Sequence, residues 1–304
     1  MKNLSIGNQK NVSAVSLGCM RIDRLNVSQV DALIGCALDN EINHFDHADI
    51  YAGGICEQLF GEYLKRHAGV RDKIFIQTKC AIKMRQYDFS KSHIISAVES
   101  SLSRLQVDYI DYLLLHRPDT LMEPEQVAEA FDKLQTEGKV KNFGVSNHNA
   151  LQIELLKTAV KQPLVANQLQ FSPTEAGMIT SGFNVNMKNF DSQMRDGGIL
   201  EYSRIKKMTI QTWSPFQFGF FKGNYIDHPD YIELNKKLQE LADKYGVNKT
   251  GIVTAWILRH PANMQLIAGT TNPNHLTEIC KGADIVLTRE EWYAIYLSSG
   301  HCLP

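Results

Sequence analysis

The stretch INHFDHADIYAGG, residues 42–54, runs as an apolar strand and then sets down Asp46, His47, Asp49 and Tyr51 before two glycines. Downstream, KIFIQTK ends at Lys79 and YIDYLLLH at His116, each at the end of another apolar run. An acid, a phenol, an amine and an imidazole brought together suit proton donation to a carbonyl oxygen. A free tyrosine has a pKa near 10. A buried ammonium beside it is expected to stabilise the phenolate and lower that value toward working pH. The ammonium needs a counter-charge in a desolvated site, which Asp46 supplies. His116 can hydrogen-bond the substrate oxygen or help relay the proton. None of the four delivers an electron pair to carbon, so a hydride cofactor has to. Taken singly, Asp46 reads as a helix cap, Tyr51 as a half-buried aromatic, Lys79 as a solvated strand end and His116 as a core histidine. The chemical reading rests on their falling together at strand ends.

The elements that must position them recur regularly. Apolar or β-branched runs lie at 14–18, 42–46, 73–79, 109–116, 140–147, 163–170, 208–214 and 264–269. Amphipathic helical stretches lie between them, at 28–40, 90–106, 123–139 and 231–246 among others. Ser28 is placed to cap the first, and Gly138 and Gly246 to end two later ones. Eight strands alternating with helices predict a (β/α)₈ TIM barrel, whose catalytic residues sit at the C-terminal strand ends. A doubly wound sheet is the rival, but the chain holds no GxG fingerprint and no GK[ST] phosphate loop. LSIGNQKNVSAV (4–15) reads as an N-terminal β-hairpin closing the lower end, and LTREEW (287–292) opens an extra C-terminal helix and tail. Without a linker or repeat, residues 1–304 read as one domain.

Composition narrows the class. The 304 residues are 43% hydrophobic and 21% charged, with a formal charge of −1, so no global field recruits nucleic acid or an anionic membrane. No apolar run reaches the roughly 18 residues of a membrane span, and the opening residues lack a signal-peptide core. Six scattered cysteines without a CxxC pair fit reduced thiols and a cytoplasmic location. The expected assembly is a monomer or weak homo-oligomer acting on a small molecule. His44 and His47 form an HxxH spacing, but a strand turns them to opposite faces and few carboxylates are near, so no metal site is expected.

The remaining strand ends add Ser146, Asn147, Gln168, Trp213 and Ser214. With FDHADIY, QTK, LLLHRPD, GKVKNFGVSN, NQLQFSP, TWSPFQFG and LRHPANMQLIAGTTNPNHL in order, the chain resembles the aldo-keto reductase superfamily from end to end, most closely its bacterial YdhF-type oxidoreductases. The resemblance implies catalysis by Asp46, Tyr51, Lys79 and His116, with Tyr51 as general acid in carbonyl reduction. It implies a nicotinamide held by Ser146, Asn147 and Gln168 and stacked on Trp213. It assigns the rest of the cofactor to Gly18, Met20, Ser214, Phe216, Gly219, Gly269, Thr270, Thr271 and His275. Lys and Arg often flank a 2′-phosphate in this superfamily, whereas Gly269 and His275 stand at those places here. NADPH is therefore the cofactor implied, with NADH as the alternative. Met20, Ile22, Trp213, Phe216, Phe218 and Phe220 are candidate walls of a pocket for a small aldehyde or ketone. The competing function is a non-catalytic NADPH-binding sensor subunit, such as the superfamily's channel-associated members.

Overall fold

Residues 1–304 are described by a computed structural model. Eight parallel strands close into a barrel in simple sequential order: β3 (Val15–Gly18), β4 (His44–Asp46), β5 (Phe75–Cys80), β6 (Ile110–Leu115), β7 (Val140–Ser146), β8 (Leu164–Gln170), β9 (Thr209–Trp213) and β10 (Met264–Ala268). β10 returns to pair with β3, Ile267 opposite Ser16. All eight predicted strands are present, most of them trimmed by a residue or two at their ends. The N-terminal hairpin, β1 (Asn3–Ile6) and β2 (Gln9–Ser13), caps the lower end of the barrel as expected. It buries Ile6 and Val12 against Tyr112, Leu114, Val165 and Ala166, and the Tyr112 hydroxyl donates to the Ile6 carbonyl at 3.3 Å. An apolar plug here keeps water from the polar groups inside the barrel above it.

The main ring of helices comprises α1 (Val27–Asp39), α2 (Ile55–Arg66), α3 (Lys91–Leu105), α4 (Pro124–Thr136), α5 (Ala150–Leu156), α6 (Gly177–Phe183), α7 (Ile199–Ile205), α8 (Ile232–Tyr245), α9 (Lys249–Arg259) and α10 (Pro273–Lys281). α1 corrects the expected cap. Asn26, not Ser28, accepts from the Gln29 amide, and Gln29 returns the bond in a capping box, so the cap lies two residues earlier and the helix begins at Val27. The tail forms α11 (Arg289–Ser298), which is structural. Its Trp292 stacks on Trp256 of α9 at 5.0 Å, and each indole N–H donates to the other residue's carbonyl at 3.0 Å. Two mouth hairpins, 82–87 and 217–224, were not anticipated from the sequence pattern.

Gly144 shows how tightly β7 is held. A methyl group there would meet the Leu114 side chain at 2.6 Å and the Ala166 carbonyl at 2.7 Å, so the two flanking strands leave no room. Gly144→Ala is expected to cost about 1–3 kcal/mol through overpacking, read as a lower urea midpoint at unchanged slope.

Candidate active site

β4 ends at Asp46, and the chain leaves it without breaking the sheet pattern: the His47 amide donates to the Gln77 carbonyl and the Asp49 amide to the Lys79 carbonyl. This extended pairing carries the loop across the mouth of β5. It then tightens into a short 3-10 turn, Tyr51–Gly54, with Ala52, Gly53 and Gly54 at positive φ before α2 starts. Two glycines make that reversal accessible. The turn sets Tyr51 over Lys79.

Lys79 is completely buried. Its ammonium donates to both oxygens of Asp46, at 2.7 and 2.8 Å, to the His47 carbonyl at 2.8 Å and to the Tyr51 hydroxyl at 3.1 Å. Asp46 is only 2% exposed, and its Oδ1 also accepts from Gln77 at 2.6 Å and Gln168 at 3.0 Å. Burial pushes the Asp46 carboxyl up, but the Lys79 charge and these hydrogen bonds win and hold it below its ordinary value. Burial likewise disfavours the Lys79 ammonium, and Asp46 overrides it, so Lys79 is held above its ordinary value.

Tyr51 corrects the sequence-based expectation. Burial raises its pKa, and the opposing Lys79 charge, already matched by Asp46, does not overcome it. The phenol is therefore held protonated and hydrogen-bonded rather than poised as a phenolate. His116, beyond β6, sets its ring edge-on to Tyr51 at 6.0 Å. Burial and the nearby Lys79 charge lower its pKa to about 3, so the ring is neutral at physiological pH.

Beneath the four lies a polar column that the sequence did not reveal. Gln77 and Gln211 exchange amide bonds at 2.9 Å, Gln211 donates to Gln265 at 2.8 Å, and Gln265 donates to the Ser13 carbonyl at 2.8 Å. Inward-facing residues at alternate positions could have signalled it, but each glutamine stood alone in an apolar run. His44 and His47 do not form a metal pair. His44 Nδ1 bonds Ser16 Oγ at 2.8 Å, while the His47 ring packs against Phe60 at 4.6 Å. Asp49 lies behind the site near the Glu57–Arg104 ion pair, and burial with the Glu57 charge lifts it to about 7.

A cavity of about 1210 Å³ opens over this constellation. Asp46, Tyr51 and His116 line one end of it; Gly18, Met20, Ser146, Asn147, Gln168, Trp213, Ser214, Phe216, Gly269, Thr270 and His275 also line it. Lys79 sits directly beneath. Trp213 Nε1 donates to Asn147 Oδ1 at 3.1 Å, Asn147 Nδ2 donates to Ser146 Oγ at 2.7 Å, and Ser146 Oγ donates to the Gln168 carbonyl at 3.0 Å. This chain of bonds locks three strand ends into one rim.

Two expected cofactor residues are not brought to the cavity wall. Gly219 is a turn residue, its amide donating to Glu175 and its carbonyl accepting from Gln170, and Thr271 stands just ahead of α10 outside the wall. Among the pocket candidates, Ile22 is buried in the core and Phe218 packs on His228 and Tyr231. The cavity instead recruits Arg21, Arg117, Phe221, Asn248 and Lys249. Lys249 and Asn248 come from the junction of α8 and α9, which only folding carries to the rim.

The Aldo/keto reductase family model matches residues 14–296. The chain belongs to the aldo-keto reductase family. Among curated relatives, it is 32% identical to the 6-dehydroglucose reductase of Agrobacterium fabrum, covering 97% of both chains. It is 31% identical to the oxidoreductase YdhF of Escherichia coli, over 92% of this chain and 91% of that one. The fold superposes on the aldo-keto reductase from Klebsiella pneumoniae solved with NADPH, with a TM-score of 0.78 at 24% identity, covering 97% and 93% of the two chains. As a member of this family the protein is an oxidoreductase, and its barrel is the family's barrel.

In this aldo-keto reductase the Lys79–Asp46 pair has a defined pH window. Asp46 lies below its ordinary 3.8, so its contribution is present above that pH and fades as pH falls through the lower folded value. Lys79 lies above its ordinary 10.5, so its contribution is present below that pH and fades only beyond it. Asp46→Asn strands a buried ammonium and is expected to cost about 3–5 kcal/mol at neutral pH. The double variant Asp46→Asn, Lys79→Met should recover part of that loss in equilibrium urea unfolding.

Proposed function

We propose that this aldo-keto reductase reduces an aldehyde or ketone to an alcohol with NAD(P)H, with Tyr51 as the general acid. The observation that carries the reading is the Tyr51 hydroxyl, anchored at 3.1 Å on the buried Lys79 ammonium at the foot of a long cavity. The residues along that cavity fit a dinucleotide. Ser146, Asn147 and Gln168 offer amide-complementary groups, Trp213 offers an indole plane, and Arg21, Thr270, His275 and Lys249 offer polar groups at the far end. A reduced nicotinamide dinucleotide, when bound, supplies the hydride. The activity for which the Agrobacterium relative is named, reduction of 6-dehydroglucose, and the NADPH complex of the Klebsiella enzyme both support the reading.

The chain's own part is proton management. The neutral His116 ring lines the cavity edge-on to Tyr51 and is placed to hydrogen-bond the carbonyl oxygen. Tyr51 then gives that oxygen its proton as the alkoxide develops. The phenolate left behind is stabilised by Lys79, whose charge Asp46 keeps in place. A proton donor that contributes in the transition state alone raises kcat.

Tyr51→Phe is expected to keep nucleotide binding and to lose about 10²- to 10⁴-fold of carbonyl reduction, measured by NADPH fluorescence titration and turnover of an aldehyde panel. Equal turnover by both proteins would remove Tyr51 as the acid. Nucleotide binding with no turnover in either would support a sensor role. A second expectation follows from the raised Tyr51 pKa. Reduction needs the phenol and should stay level with respect to this group from pH 6 to about 9, whereas alcohol oxidation needs the phenolate and should climb with pH through the same range. Paired kcat/KM profiles for the two directions check it.

A further inference from the structure

Five charged side chains line the cavity: Arg21, Asp46, Arg117, Asp227 and Lys249. Four are accounted for. Asp46 is neutralised by Lys79, and Asp227 by Lys249 across the far rim. Arg21 donates to the Gly269 carbonyl at 3.1 Å. Arg117 is different. It follows His116 directly, at the catalytic end, and makes no hydrogen bond or ion pair with the protein.

Its guanidinium is nonetheless held in place. Its carbon lies 5.8 Å from the Trp213 ring centroid and 5.9 Å from that of Phe220. Trp213 is itself fixed by its bond to Asn147, and Phe220 meets it edge-on at 6.3 Å. Neither ring supplies a hydrogen-bond acceptor, so the guanidinium N–H groups are left without one. A guanidinium carries five N–H donors in a rigid fork that matches a carboxylate in two parallel bonds. Half-buried among aromatic rings, such a fork attracts an anion more strongly than it would in open water. Burial already penalises its charge, which a bound anion would relieve.

We propose that Arg117 receives an acidic group of the substrate, so that the favoured substrates are aldehydes or ketones bearing a carboxylate. The inference rests on the carbonyl-reduction reading and names the substrate class for it. The substrate carbonyl meets Tyr51 and His116 while its carboxylate lies against Arg117, one residue further along the same strand end. That places both groups on one small molecule. No other charge at this end competes for the anion, because Lys79 lies sealed beneath Asp46 and His116 is neutral. The aromatic walls accommodate the carbon frame between the two groups.

The test compares 4-carboxybenzaldehyde with its methyl ester, methyl 4-formylbenzoate, under NADPH turnover. The pair shares a ring and an aldehyde and differs in the charge. In the wild type, kcat/KM should favour the acid. In Arg117→Gln the acid-to-ester ratio should fall tenfold or more, with the change concentrated in the KM for the acid. Arg117→Lys, which keeps the charge and loses the fork, should fall between. An unchanged ratio in Arg117→Gln, or a wild type that prefers the ester, would overturn the anion role while leaving carbonyl reduction standing. A wild type that reduces neither aldehyde would overturn carbonyl reduction instead. In that event calorimetric titration of terephthalate into the NADP⁺-loaded proteins decides Arg117 separately: binding at least tenfold weaker in Arg117→Gln supports it, and equal binding refutes it.

Discussion

The site is organised around one fully buried ammonium. Lys79 has lost all contact with water, and a lone charge in that position would shed its proton rather than remain. Asp46 prevents this by offering both oxygens, and with the His47 carbonyl and Tyr51 hydroxyl it surrounds the three N–H groups with acceptors. The pair adds little net stability compared with an apolar substitute of the same shape. What it gives is a fixed positive charge directly under a phenol. The glutamines below extend the same logic. Each satisfies the next down to the backbone of the N-terminal hairpin, so the carboxylate that neutralises Lys79 is itself held from the barrel floor.

The barrel explains why residues so far apart in the chain converge. Sequential parallel pairing places the ends of β4, β5 and β6 side by side, so Asp46, Lys79 and His116 differ by one strand spacing each. Tyr51 is the exception, since it arrives from a loop. Its placement depends on the backbone pairing of His47 and Asp49 with β5 and on the left-handed turn at 52–54. A loop pinned in this way behaves as an extension of the sheet. The opposite rim is joined by the Ser146–Asn147–Trp213 hydrogen bonds, which leave the indole plane little freedom.

Much of this was legible in the chain. Strand ends are marked by the change from apolar runs to polar residues, and in a barrel these ends share one mouth, so the convergence of Asp46, Tyr51, Lys79 and His116 could be read from the chain. Other features were not legible. The resemblance assigned Gly219 and Thr271 to the cofactor, but neither lines the cavity, because loop direction depends on partners elsewhere, here Glu175 and Gln170 for Gly219. The sign of the Tyr51 shift was misjudged because a residue list shows the neighbouring charge but not the depth of burial opposing it. The cap of α1 moved from Ser28 to Asn26 because a capping box with Gln29 satisfies two amides at once.

The sequence by itself determined the period of strands and helices, and therefore the barrel, the order of its strands and the residue types available at its mouth. Those are properties of local pattern, and parallel pairing leaves few ways to satisfy them. Tertiary structure alone decided how the charges balance. Whether Lys79 is matched, whether His116 is neutral, and whether Arg117 is left without a partner depend on which side chains from distant segments share a low-dielectric space. Electrostatic energy follows distance and burial, and neither is written in the spacing of residues along a chain.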